Sequence, residues 1–482
     1  MRIVDRQRQH KRLAIAVFSQ DRIATIFLSI FLVIVVTSLL FFGSVGQAPF
    51  AIVASSMFAL AVMVVSYFGE PERARTPFHI ALAILLVLTL WAFLQTLNLP
   101  FDTSSSSLWH SAQLLLGTKQ SSISVAPADT VEAILRIAMP LVTFIVALIL
   151  SSTDDRSKAL ISCLGLVGGA IGLFGLFQFL ISPATLIVVE KHFYTDSLTT
   201  VFVNRNTAAT FLGVTILTLS VLAWEKARKV DVRRAVVQMQ DWRSPRGGGT
   251  IRATVYLILL GASLAALLLT KSRAGIASTF IALLFLAPYM AMNWSSERET
   301  GFGNTALGRR SIVRWAIASI VILAVFLVLS GQVLMRAQVR GSDDARFCIL
   351  PGIFRALSEH YLVGTGFGTF QWIFPAYRDP DCGIWGVWDR AHDSYLEGAL
   401  NLGVIFPVAL LLGFGALVFF LREGLKSRKK LRHYPALGFA ALILVSLHSA
   451  IDFSLQIPGF AVFFAALMAP VISIAVGRRP DS

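Results

Sequence analysis

"ATVYLILLGASLAALLLTKSRAGIASTFIALLFLAPYMAMNW", residues 253–294, is apolar almost throughout except at Lys271 and Arg273. Read as one long span, it would bury two cations near the middle of a bilayer, each costing at least about 2.5–3.5 kcal/mol. Read as two runs hinged on Thr270–Gly275, each run holds about 20 residues, enough at about 1.5 Å per residue to cross a hydrocarbon core of about 30 Å. The cations then lie at the tip of a helical hairpin, within reach of the interface, and the insertion cost largely disappears. Paired membrane helices follow.

The same ruler applied along the chain gives further apolar windows, at 22–42, 48–68, 77–97, 131–151, 159–182, 203–223, 312–331, 403–421, 435–453 and 457–476, beside the two at 252–270 and 274–293. The expected fold is an all-α polytopic membrane protein with about twelve transmembrane helices, since barrel strands would alternate over about 10 residues. Composition agrees: 56% of residues are hydrophobic, 14% are charged, and the mean hydropathy is +0.72. Residues 1–482 read as a single integral membrane domain, and the first window as an anchor rather than a cleaved signal, because a second span follows it at once.

Basic loops set orientation. With both termini cytoplasmic, roughly 30 of the 42 Lys and Arg residues fall on one side, among them those of the basic cytoplasmic loop 225–251. The net charge of +15 is thus read as topology and contact with membrane lipids, and no nucleic-acid partner is expected. The outer, periplasmic side receives a loop at 98–130, a short one at 183–202, the hairpin tip, and a large loop at 332–402. Against the orientation rule, Arg205, Lys271, Arg273, Arg346 and further arginines gather there, and an anionic ligand is the simplest reason.

Two of the three cysteines, Cys348 and Cys382, fall in the large outer loop, where an oxidising compartment predicts a disulfide; the alternative is two thiols too far apart to bridge. Cys163 lies within a span and reads as small apolar packing. The loop begins with a helical pattern over 343–361 interrupted by Pro351 and carrying Arg346 and Arg355, then the glycines of "VGTGFGTF", 363–370. Those glycines read as a tight turn rather than a phosphate cradle, with no strand before them. Aromatics follow, among them Trp372, Tyr377, Trp388 and Tyr395, either an interfacial belt or a platform for sugar rings. In "AHDSYLEGALNLG", 391–403, His392 stands at the start of a helix expected to run directly into the next span, with Asp389 as its N-cap. The field of a helix start favours a neutral, proton-accepting imidazole. His448 and Asp452 share an i, i+4 spacing near the outer ends of the last two spans, which predicts a pair. The chain displays no metal-ligand spacing, no nucleophile elbow and no paired internal repeat, so no metal or cofactor is expected.

Four stretches together resemble the bacterial O-antigen ligase and polysaccharide polymerase superfamily: "FVNRNTAATFL" (202–212) with Asn204, Arg205 and Asn206, "TKSRAG" (270–275), "ARFCILPGIFRALSEHYLVGTGFGTF" (345–370) and "AHDSYLEGALNLGVIF" (391–406). Asp393 stands where that family more often has Asn, and Phe406 where a ligase signature usually has a small residue. The resemblance implies an architecture similar to C-type membrane glycosyltransferases in the bacterial inner membrane. It also implies inverting transfer of an undecaprenyl-diphosphate-linked glycan to a glycan or lipid A-core hydroxyl. Arg205, Lys271, Arg273 and Arg346 would then hold the diphosphate, with His392, Arg273 and Arg346 catalytic. Trp372, Tyr377, Trp388, Asp389 and Tyr395 would contact glycan or acceptor, and Asn204, Asn206, His448 and Asp452 would support the site. The competing class is a transporter or flippase of anionic glycans, which would bury charge along a path at mid-membrane rather than at one face.

Overall fold

Helix boundaries fall where hydropathy breaks. The computed structural model describes residues 2–98, 107–117, 121–228, 244–292, 345–380 and 387–477. Membrane-length helices within them are α1 (Arg2–Leu40), α2 (Gln47–Phe68), α3 (Arg75–Leu94), α5 (Pro127–Leu150), α6 (Asp154–Ile181), α7 (Arg205–Ala227), α8 (Pro245–Leu269), α9 (Arg273–Met292), α13 (Ile405–Ser427) and α15 (Pro458–Val476). The shorter helix α14 (His433–Ser449) matches the expected window at 435–453. Shorter helices α4 (Ser107–Leu116), α10 (Ala345–His360), α11 (Phe370–Ile373) and α12 (Ser394–Leu402) lie between spans, and a two-strand ribbon, Thr185–Leu186 with Val189–Glu190, follows α6. The chain is an all-α polytopic membrane protein, as its hydropathy implies. The expected span at 312–331 and Cys382 lie outside the described residues, and Arg346 is described by its backbone alone, in the first turn of α10.

Helix α7 is the central post. Its membrane window is 94% buried, against 17% for α13, which faces lipid. It packs on α6, α8, α9 and α14, and small residues let these helices close in. A Cβ on Gly168 of α6 would stand 2.5 Å from Thr215 Oγ1, and one on Gly213 of α7 would stand 2.3 Å from Thr279 Oγ1 of α9. Lipid offers no hydrophobic drive between helices, so this close approach and its dispersion contacts hold the bundle.

Two expectations are corrected here. Pro351 does not interrupt α10, which runs unbroken through it. Nor does the helix after His392 run into the next span: α12 stops at Leu402, Gly403 turns the chain at φ +63°, and α13 starts at Ile405. With ψ at −150°, Gly403 sits in a region that glycine, lacking a Cβ, adopts almost alone.

At one end of the bundle, Asp154 pairs with both Arg73 and Arg428, and Tyr434 Oη donates to Glu225 at 2.6 Å. The opposite end gathers 182–204, the α8–α9 turn, 361–369, 387–393 and 450–457, all by alternation of helix direction.

Candidate active site

The hairpin tip is built by side-chain caps. Thr270 Oγ1 accepts from the Ser272 N–H at 3.2 Å, and Ser272 Oγ accepts from the Gly275 N–H at 3.3 Å, which caps α9. Between them Lys271 reverses the chain at φ +55°. Ser272 is buried, and its Oγ donates to Asn206 Oδ1 at 2.9 Å. The neighbouring Arg273 is exposed and makes no ion pair among the described residues, while Lys271 Nζ meets Asp196 Oδ2 at 2.9 Å.

Asn204 caps α7, its Oδ1 accepting from the Asn206 N–H at 2.7 Å. Arg205 lies 5.1 Å over the Tyr194 ring and donates to Ser197 Oγ at 3.4 Å. Asn206, buried, is the hub: besides Ser272 it holds Asp452, donating Nδ2–H to Oδ2. Asp452 has no exposed surface, and its Oδ1 accepts from the Phe453 N–H at 2.8 Å and from Ser454 Oγ at 3.4 Å. Ser454 Oγ is also 3.3 Å from His448 Nδ1, which sits 2.8 Å from Thr210 Oγ1 of α7. His448 and Asp452 therefore share Ser454.

His392 reaches the same turn. Its ring packs at 5.0 Å on Phe453 and at 5.6 Å on Trp388, edge-on to both, and Ser394 two residues later donates to the Asp452 carbonyl at 3.0 Å. An unbroken path thus runs from His392 through Phe453, Asp452, Asn206 and Ser272 to Arg273. Asp389 does not cap α12: Asp393 does, accepting from Tyr395 and Leu396 N–H at 2.8 and 2.9 Å. Burial pushes the Asp393 carboxyl up, against the pull of those two bonds. Asp at this position therefore fills the capping role open equally to Asn. His392, just before the cap, takes φ +55°, a left-handed conformation uncommon outside glycine.

The segment before it is clamped by Glu397, buried to 2% exposure, which accepts from the Ala391 N–H at 2.8 Å and from Arg390 at 3.2 Å. Burial raises the Glu397 carboxyl as well. Phe406 fills the space left by Gly398, where a Cβ would stand 2.4 Å from the ring.

Other predicted residues separate. Trp372 donates to Asp129, and Tyr377 donates to Glu359 and contacts His360 Nε2 at 3.1 Å, so neither lines the path. Asp389 is exposed beside it. Tyr395 turns into the bundle, donating to the Ser446 carbonyl at 2.9 Å at one end of an apolar cavity of about 580 Å³ between α3, α5, α13, α14 and α15. Cys348 is disulfide-bonded and Cys163 is free. Gly364, Gly366 and Gly368 all take positive φ in a turn pressed on Asn401, Ser124 and Ala133, a packing role. Sequence reading missed Ser272, Asp196 and Glu397. The Ser-x-x-Gly spacing of the tip carried a capping signal for the first; the others are visible only in three dimensions.

A family model described as O-antigen ligase matches residues 257–411. About a third of the chain is thus similar to that family. The match supports the O-antigen ligase/polymerase superfamily and a glycan-transferring role in polysaccharide synthesis. No curated protein matches the chain. The matched stretch contains the tip, α10, Trp388 and His392 but neither Asn206 nor Asp452, so the buried hub that joins its two halves comes from outside it.

Proposed function

We propose that the chain transfers a glycan from undecaprenyl diphosphate to an acceptor hydroxyl at the periplasmic face of the inner membrane, extending or ligating a surface polysaccharide. The observation that carries this is the buried hydrogen-bond path binding the Arg273 tip to the turn on which His392 stacks. In the reaction the acceptor oxygen attacks the anomeric carbon, the bond to the diphosphate oxygen breaks, and the hydroxyl proton passes to His392. Charge grows on the departing diphosphate, where Arg273, Arg205, Lys271 and Arg346 would stabilise it, arginine doing so through two parallel N–H donors. The imidazole must come within about 3 Å of the acceptor oxygen to act as base. The apolar cavity beside Tyr395 has room for part of a polyprenyl chain.

Arg273→Ala and His392→Ala, each checked for normal membrane levels, test the reading by gel analysis of surface polysaccharide and lipid-linked intermediates. Polymer or core attachment should disappear while outward-facing intermediates accumulate. Unchanged polysaccharide in both variants would sink the proposal, and intermediates trapped on the cytoplasmic leaflet would instead point to a flippase.

A further inference from the structure

The segment between α6 and α7 belongs to none of the stretches that raised the family resemblance apart from its last residues, yet its side chains partner two of the expected phosphate-binding cations. Tyr194 lies under the Arg205 guanidinium, Ser197 Oγ accepts from Arg205, and Asp196 pairs with Lys271. A third cation belongs to the segment itself: Lys191 Nζ donates to the Ser197 carbonyl at 3.1 Å and lies 5.9 Å over the Phe179 ring. The segment is fastened to the tip by the Leu198 N–H, which donates to the Leu269 carbonyl at 3.0 Å.

Resting on the function proposed above, we infer that Lys191–Ser197 is a further wall of the diphosphate site, with Lys191 an additional phosphate-binding cation and Asp196 an internal counter-ion that the diphosphate displaces.

Charge balance supports this. Asp196, with its side chain 70% exposed and replaceable, pairs with Lys271 and acts on Lys191, while Arg205 bonds the adjacent Ser197 and the exposed Arg273 follows Lys271 by two residues; Glu190 is exposed on the adjoining ribbon. Asp196 is held below the ordinary carboxylate range chiefly by the Lys271 hydrogen bond, and its charge also acts on Lys191. Burial lowers Lys191, the mark of an incompletely solvated ammonium that gains from an added anion. Tyr194, close in sequence to Asp196, and Lys271, the cation of the ion pair, both take positive φ, at +57° and +55°. Such strain persists where surrounding contacts over-determine it, and it gathers at ligand sites. Depth fits as well. Ile181, Val188 and Phe193 leave large apolar side chains exposed along the segment, which seats it at the headgroup boundary where a lipid diphosphate lies.

A diphosphate offers several anionic oxygens where Asp196 offers one carboxylate, and an exposed ion pair resists exchange only weakly. The test uses the purified full chain in nanodiscs, with undecaprenyl diphosphate and, separately, inorganic diphosphate as probes. Asp196→Asn should bind both probes about two- to fivefold more tightly, the gain shrinking at high salt. Lys191→Ala should bind about tenfold more weakly, with Lys191→Arg restoring affinity. Asp196→Asn binding no tighter than wild type, or Lys191→Ala binding as well as wild type, overturns the inference. If Arg273→Ala abolishes binding while both loop variants match wild type, the inference falls and the functional reading stands. If the wild-type chain binds neither probe, both fall.

Discussion

Asn206→Asp should destabilise this protein by about 4 kcal/mol, and Asp452→Asn should repair it. The wild-type amide gives one N–H to Asp452 and takes one O–H from Ser272, in a pocket closed to water. Replacing it with a carboxylate sets two anions about 3 Å apart, worth about 5 kcal/mol of repulsion at an effective dielectric of about 20. The pair can escape by holding one proton, which at pH 7 costs about 4 kcal/mol for a carboxyl whose ordinary pKa is about 4. The cheaper route sets the penalty at about 4 kcal/mol. Asp452→Asn alone trades a charge-assisted bond for a neutral one and costs about 1 kcal/mol. In the double variant the roles reverse: the new amide donates to the new carboxylate, which still accepts from Ser272, while the amide oxygen accepts from the Phe453 N–H. Its cost should return to about 1 kcal/mol, a coupling of about 4 kcal/mol in a double-mutant cycle. Thermal melts in detergent measure stability, and polysaccharide gels report whether the tip is still held. Because the Asn206→Asp pair carries an extra proton only when folded, its deficit should shrink as pH falls toward 4. A double variant no better than Asn206→Asp would refute the buried path.

Gly364→Ala should lower stability by more than about 2 kcal/mol, read as lost yield and a lower melting point, because φ is +78° and the new Cβ would stand 2.4 Å from the Asn401 carbonyl oxygen. Asp393→Ala should cost about 0.5–2 kcal/mol and Asp393→Asn almost nothing, since only the first removes the cap of α12. Burial raises both Asp393 and Glu397, so the folded segment binds more protons than the unfolded one just above the ordinary carboxylate range. Stability of 390–402 should therefore be full below that range and fall as pH rises through the raised values, with Glu397→Gln flattening the response in amide exchange. Peptide mapping without reduction should link Cys348 to Cys382 and find Cys163 free; a bridge to Cys163 would contradict the structure.

The spans were legible because each is a long apolar run broken by charge, and the tip because only a turn relieves Lys271 and Arg273 of burial. The glycine turn was readable as packing for want of a strand before it. The stop at Leu402 was announced by Gly403, but the apolar residues beyond it mimic a continuing helix. Two aspartates precede α12, and composition alone does not say which one caps it; only the backbone reversal at His392 selects Asp393. The partnership of Asn206 with Asp452 had no local trace at all, since it depends on α7 and the 450–457 turn meeting at one end of the bundle.

Because the Arg273 tip and the His392 turn are both surveyed from one benchmark, the Asn206–Asp452 contact, positional error does not accumulate along the chain between them. The tip and the turn lie far apart in sequence, and side chains of α7 and of the 450–457 turn, outside the stretch between them, fix their spacing.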